Sequence, residues 1–370
     1  MNIKTIMKMK KYYLLLSAFI GLSGAVFSAC SSEEDSPIVE NNADNAIRFA
    51  ANTEFSRAGD ITTNTLTTFN VYAYTGTATS PNVFMNNVEV KKTGVNTWSY
   101  SPIQYWPAKE SVDFYAFAPA SWLGTNDPLK PIPYDSYPGT EDIIYAVSPN
   151  LTGNAGMANA QVLFNFRHAL SKVTVKMSST NTNLQVKVSN VALANIMTKG
   201  NFHFPSASTS GTPSAESIGT WSDQNTPVPY ILHMSQDAND LITLTTTATD
   251  MSTTGMGMGG AKYMTPQTLS WRSNGAGNDN YITVMCSVYD AKSGAKLWPN
   301  ANTPSENVVE GSTFGDGRLK FPLSTSSFSE WHPGYHYVYN LVINSNEDMG
   351  AIEFGTPSVD SYVDVTTNYQ

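Results

Sequence analysis

Apolar and polar residues alternate with a period of two along most of this chain. Between Phe69 and Tyr74, the residues Phe69, Val71 and Ala73 share one face; Val112, Phe114 and Ala116 share one in the stretch "VDFYAFAP". The segments "LQVKVSNVAL" (184–193), "LITLTTTAT" (241–249), "YITVMCSVYD" (281–290) and "YHYVYNLVIN" (335–344) repeat the pattern. Such alternation predicts half-buried strands. Near the start, Ile47, Phe49 and Ala51 alternate with Arg48, Ala50 and Asn52, and Phe55 to Asp60 then breaks the pattern. Clusters of Gly, Pro, Asn and Ser separate the segments, and no run carries apolar residues at helical spacing. The chain is therefore expected to be all-β. About 320 residues follow the polar N-terminal region, more than one sandwich usually needs, so two tandem β-sandwiches are expected.

One stretch changes register. Val162, Phe164, Phe166, His168 and Leu170 occupy even positions, whereas Val173, Val175 and Met177 occupy odd ones. A bulge or a crossing between sheets is expected near Ser171-Lys172. The Gly- and Asn-rich loop just upstream places the division between an N-terminal sandwich (46–159) and a C-terminal one (160–370).

Composition narrows the setting. Lys4, Lys8, Lys10 and Lys11 precede an apolar run from Tyr12 to Leu22, and small residues lead to Cys30. Residues 1–29 read as a secretory signal, too short for a membrane span. Small residues directly before Cys30 resemble a bacterial lipobox, in which Cys30 takes the lipid; the bland reading is a signal cut near a chance cysteine. Glu33, Glu34 and Asp35 make 30–45 an acidic linker with too little apolar content to fold alone. The formal charge is −9, and loss of the four leader lysines makes it −9 − 4 = −13. Such a balance argues against nucleic acid as a partner. Cys286, the other cysteine of two, lies on the apolar face of a predicted strand and reads as a small buried hydrophobe.

The chain shows no phosphate-binding glycine loop, HExxH or GxSxG. No catalytic residue, cofactor or metal is expected. His168 on an apolar face reads as a hydrogen-bonded structural histidine. His332 and His336 are four apart, but Pro333-Gly334 between them opposes a helical metal pair. The methionines of "MGMGGAKYM" read as part of a flexible loop. Trp98, Tyr100, Tyr105 and Trp106 read as aromatics packing over the N-terminal core.

Four stretches resemble one family: "WSYSPIQYWP" (98–107), "FRHALSKVTVKM" (166–177), "YMTPQTLSW" (263–271) and "WHPGYHYVYNLVI" (331–343). Their order, with the lipobox and acidic tag, resembles the fimbrillins, the lipoprotein-derived subunits of type V pili of Gram-negative anaerobes. The resemblance, running from about Ala46 to the C-terminus, implies transthyretin-like sandwiches and a structural or adhesive role. It implies a palmitate-type lipid on Cys30, an outer-membrane stage, and an Arg-specific protease cutting between Arg57 and Ala58. Arg48, inside the alternating strand, is the lesser candidate for the cut, and a turn arginine that is never cut is the bland alternative. The strand around Phe49 would then leave, replaced by a strand from another copy or another fimbrillin subunit. The donor would lie in the C-terminal tail, where Ile352 and Phe354, then Val359, Val363 and Val365, alternate on either side of Pro357. The bland alternative is that the tail pairs within its own domain.

A different class of function also fits: a monomeric surface lipoprotein binding glycan or another host or bacterial surface ligand. The seven tryptophans permit it. "NVFMNNVEV" (82–90) and the 124–139 loop are the expected exposed contact segments in either case.

Overall fold

The computed structural model describes residues 46–53, 61–62, 64–95, 97–153, 161–208, 218–252, 262–272, 277–326, 328–344, 354–355 and 363–369. The chain begins with β1 (Arg48–Thr53), β2 (Thr68–Thr77), β3 (Ser80–Gly94), β4 (Thr97–Tyr100) and β5 (Val112–Ala118). One helical turn, α1 (Ala120–Leu123), precedes β6 (Ile132–Asp135), β7 (Ile144–Leu151) and β8 (Gln161–His168). Next come β9 (Ser171–Ser178), β10 (Leu184–His203), β11 (Thr220–Met234), β12 (Ile242–Thr243), β13 (Thr249–Asp250) and β14 (Lys262–Met264). β15 (Tyr281–Asp290), β16 (Lys296–Trp298), β17 (Gly317–Pro322) and β18 (Tyr335–Val342) lead to β19 (Phe354–Gly355) and β20 (Val363–Tyr369). The all-β expectation holds.

The first sheet runs β1-β8-β7-β5-β2-β3-β4. It curls around its own core: the rings of Phe164 on β8 and Phe69 on β2 lie 5.6 Å apart, although β7 and β5 separate their strands in the sheet. Phe69, Val71 and Ala73, with Val112, Phe114 and Ala116, are sealed in this core, as the alternation predicts. Trp98, Tyr100 and Trp106 pack on it, whereas Tyr105 remains 46% exposed.

The register change marks a change of sheet. Val162, Phe164 and Phe166 belong to the first core; Val173, Val175 and Met177 belong to another. The crossing falls at Ala169-Leu170, whose side chains fill a third, aromatic-rich cluster with Phe117, Trp122, Tyr145 and Phe202. β8 pairs with β7 and β1, so residues 161–168 complete the first sheet, and sheet membership changes one strand later than the division at 159/160 expected from sequence. The Gly- and Asn-rich loop was a poor guide because it joins two strands of one sheet.

Two further sheets enclose the largest core. One is built on β11-β10-β15-β16, with β6 and β12 on β10 and β17 on β15; the other runs β13-β9-β18-β20-β19, with β14 on β9. Cys286 is fully buried in this core, as its strand position predicts, and burial pushes its thiol pKa up. Two sequence readings need correction. The stretch 241–249 is not one strand: Ile242–Thr243 pairs with β10 and Thr249–Asp250 with β9, because the chain passes between the sheets and Leu244 turns into the core. The 124–139 loop is not wholly exposed either. Its residues 132–135 form β6 on β10, and Ile132 is fully buried. The stretch 82–90 lies within β3, where Val83 is 63% exposed and only Met85 and Val90 are buried, so its expected exposure is largely met.

Candidate functional site: the seat of the N-terminal strand

β1 is laid parallel along β8, from Arg48 opposite Gln161 to Thr53 opposite Phe166. Alternation sends Phe49 inward, with Ile47 just before the strand, and Arg48 outward. Phe49 is 2% exposed, against a wall of rings: Phe164 stacks at 5.5 Å, Tyr100 lies at 5.1 Å, Phe114 at 6.0 Å and Phe69 at 6.3 Å. Burying Ile47 and Phe49 stabilises the fold by about 1.5–3 kcal/mol each. The seat is thus an apolar, ring-lined trough at the open edge of β8.

The N-terminal end of this segment also touches the opposite margin of the curled sheet. Ile47 N–H donates to the Gln104 carbonyl at 2.9 Å, and Ala46 bridges Tyr105. The Tyr100 hydroxyl donates to the Ile47 carbonyl at 2.9 Å and accepts from Gln104 N–H at 3.2 Å. Burial pushes the Tyr100 phenol pKa above the ordinary tyrosine value, with a Gln104 backbone hydrogen bond opposing it, so the phenol stays a donor. Tyr100 and Gln104 therefore clamp one end of the strand.

Beyond β1 the chain is fastened again. Ile61 N–H donates to the Asp142 carboxylate at 3.1 Å, and the same carboxylate meets Nδ1 of buried His168 at 2.9 Å. The expected structural role of His168 is met by this pair at the end of β8. Thr62 and Thr65 then form a hydroxyl-bonded turn, and Leu66 enters the core. The chain is tied down on both sides of 54–60 by independent contacts.

Cys30, Arg57, Ala58, Ile352 and Val359 lie outside the described residues. Phe354 lies in β19, which pairs with β20; Val363 and Val365 lie in β20, parallel on β18 opposite Tyr335 and Tyr337. The tail thus pairs within its own chain, the bland alternative raised above. His332 and His336 find separate partners, Glu330 at 3.2 Å and the Thr174 hydroxyl at 2.9 Å. Sequence reasoning missed Asp142 and Gln104, which carry no local signal. Their roles arise from partners 81 and 57 residues away, Ile61 and Ile47 (142 − 61 and 104 − 47).

A fimbrillin-like family model matches residues 56–359, leaving β1 and β20 outside the matched stretch. No curated protein matches the chain. Among solved structures, a candidate cell adhesion protein from Bacteroides uniformis is 14% identical over 88% of this chain and 98% of its own, with a TM-score of 0.45. The tip fimbrial protein Mfa3 of Porphyromonas gingivalis, truncated at its C-terminus, is 11% identical over 88% and 98%, with a TM-score of 0.38. The fimbrial anchor protein Mfa2 of that organism is 13% identical over 68% and 81%, with a TM-score of 0.27.

Proposed function

The chain belongs to the fimbrillin-like family, and from that premise we propose that it is a pilus subunit that loses β1 and polymerises by accepting a replacement strand. In this reading Cys30 carries a lipid that holds the precursor at the outer membrane, and an Arg-specific protease cuts between Arg57 and Ala58. The partner is another copy of this chain or another fimbrillin subunit.

The observation that carries the reading is the way β1 is held. It is an edge strand, set parallel on a single neighbour, yet it delivers Phe49 into a ring of aromatics. Its removal leaves the outer edge of β8 unpaired and exposes Phe164, Phe69 and Tyr100, which a strand of the same alternation would cover again. Asp142 meanwhile holds Ile61, so departure of β1 need not unravel the rest of the sheet. The tail from Phe354 to Val365 is the donor in this scheme, and it first has to unpair from β18.

The test is the N-terminal sequence and intact mass of the protein taken from its native cell surface. A chain starting at Ala58 in the polymer supports the cut. A polymer whose subunits still start at lipidated Cys30 removes the cut from the mechanism.

A further inference from the structure

A cleft of about 440 Å³ opens between β11, residues 266–268 and the turn before β18. Its volume is in the range of small-molecule sites, ~300–1,000 Å³. Three of the sequence stretches that carry the family resemblance meet here. Trp331 N–H donates to the Gln267 carbonyl, Gly334 N–H to the Leu170 carbonyl, and the Ser171 hydroxyl to the His332 carbonyl, each at 2.8 Å. These contacts fix the cleft wall, and Gly334 takes a φ of 74° that its turn requires.

Of the aromatic side chains lining the cleft, Trp221 and Tyr335 are half-buried, whereas Trp331 is sealed. Half-buried Trp221 is braced by its indole N–H on the Ala169 carbonyl at 2.8 Å and by the ring of Phe202 at 5.4 Å. Gly219 sits two residues before it because a Cβ there would lie 2.2 Å from the Phe202 ring. Tyr335 stacks on Tyr337 at 6.2 Å and meets the His332 ring at 5.3 Å. Between these platforms lie polar groups: Glu330 paired with His332, and Gln224, whose amide donates to the Pro266 carbonyl. The β10–β11 register shifts nearby, and Asp223 and Thr226 take positive φ, an irregularity of the kind that re-aims side chains.

A second cleft of about 370 Å³ adjoins the first across the Tyr134–Trp221 ring contact, at 6.1 Å. It offers Asp135, Asn201, Asp223 and Asn225 beside Tyr134. Its one lysine, Lys199, lies 3.8 Å from the Asp135 carboxylate. The Asp223 carboxylate accepts from Asn201 and Ser222, which lowers its pKa and keeps it ionised.

We infer that this pair of clefts binds a neutral oligosaccharide, one pyranose resting on Trp221 and Tyr335 and the next extending toward Tyr134. A sugar ring has a C–H face, which the negative face of an aromatic ring attracts, and a hydroxyl edge, which amides and carboxylates bind. Glu330, Asp135 and Asp223 make the surroundings acidic, with Lys199 already committed to Asp135, so an anionic sugar is repelled. The site is remote from β1 in sequence, but Tyr335 pairs with Val363 of the tail that would be donated. Binding is therefore measured on the uncut monomer, where the outcome does not depend on strand exchange.

The test uses the full chain on an array of neutral and sialylated oligosaccharides, followed by calorimetric titration of the best neutral binder. Tyr335→Ala and Gln224→Ala are each expected to weaken binding at least about tenfold. Their thermal midpoints should stay near that of the parent, and Lys91→Ala, on β3, should bind normally. Failure of every neutral glycan to bind at up to about 10 mM overturns the inference. So does preference for sialylated glycans, or binding unchanged in both folded variants.

Discussion

Phe49→Ala isolates what β1 contributes. The side chain is 2% exposed and lies against Phe164, Tyr100, Phe114 and Phe69, so its truncation leaves a ring-sized void. Phe→Ala at such sites costs about 3–5 kcal/mol. With a urea m-value of about 2 kcal/mol/M, the lower figure moves the denaturation midpoint down by roughly 1.5 M. If strand departure breaks the same contacts, the lower figure raises its rate by up to about 160-fold, since each 1.36 kcal/mol is a factor of ten. The assay is urea unfolding of the uncut chain, followed by limited cleavage with an Arg-specific protease and the time course of polymer formation. Phe49→Ala should unfold earlier and polymerise faster after cleavage. A midpoint shift below about 0.3 M, corresponding to ~0.6 kcal/mol on that m-value, would refute the claim that β1 is anchored through this ring. A normal shift with unchanged polymerisation would show that release of β1 does not limit assembly.

Arg57→Ala should fold normally and block assembly; polymer still forming in that variant, seen by electron microscopy, removes Arg57 from the mechanism. Asp142→Ala removes the acceptor of both Ile61 N–H and His168, and should cost about 2 kcal/mol in urea unfolding. Asp316, 3% exposed, accepts from the hydroxyls of Ser189, Ser287 and Ser312. Asp316→Ala removes that shared acceptor, leaving Ser189 and Ser287 only longer contacts to the Met285 and Gly315 carbonyls, and should cost about 2 kcal/mol by the same measurement. Cys286 should resist a thiol reagent in the folded chain and react fully in denaturant; rapid reaction under native conditions would contradict its sealed position.

The period-two pattern located the long strands because their side chains divide cleanly between core and outside, as at Phe69, Val71 and Ala73 on β2. It failed where a segment is too short to show a period. Ile132–Asp135 is four residues interrupted by Pro133, and residues 241–249 pair at their ends with different sheets. Sheet membership was also out of reach for β8. Its alternation is the same whichever partner it takes, and that partner was decided by Phe164 meeting Phe49 and Phe69 across the curl. The terminal strand was legible as a strand, but not its clamp, because Tyr100 and Gln104 reach it only through the fold. The sugar cleft was legible only in part. The expected contact segment 124–139 supplies Pro133, Tyr134 and Asp135 to the second cleft, whereas 82–90 lies outside both. Trp221, Gln267 and Tyr335 sit on separate stretches that only the fold brings together.

The attachment of β6 to β10 has a consequence for how the chain matures in time. Every strand of the first sheet lies between Arg48 and His168, so that sheet can close as soon as this length has emerged from the export channel. β6 emerges with them but pairs only with residues 199–202, on a strand not yet delivered. For that interval it is an unpaired edge beside a finished sheet, the kind of surface that recruits the wrong partner. Its composition answers the hazard. Pro131 and Pro133 remove two backbone donors from "PIPYD", and the paired stretch is four residues long. Proline is tolerated in a strand that waits at an edge, and here it keeps the waiting strand from templating aggregation until β10 arrives.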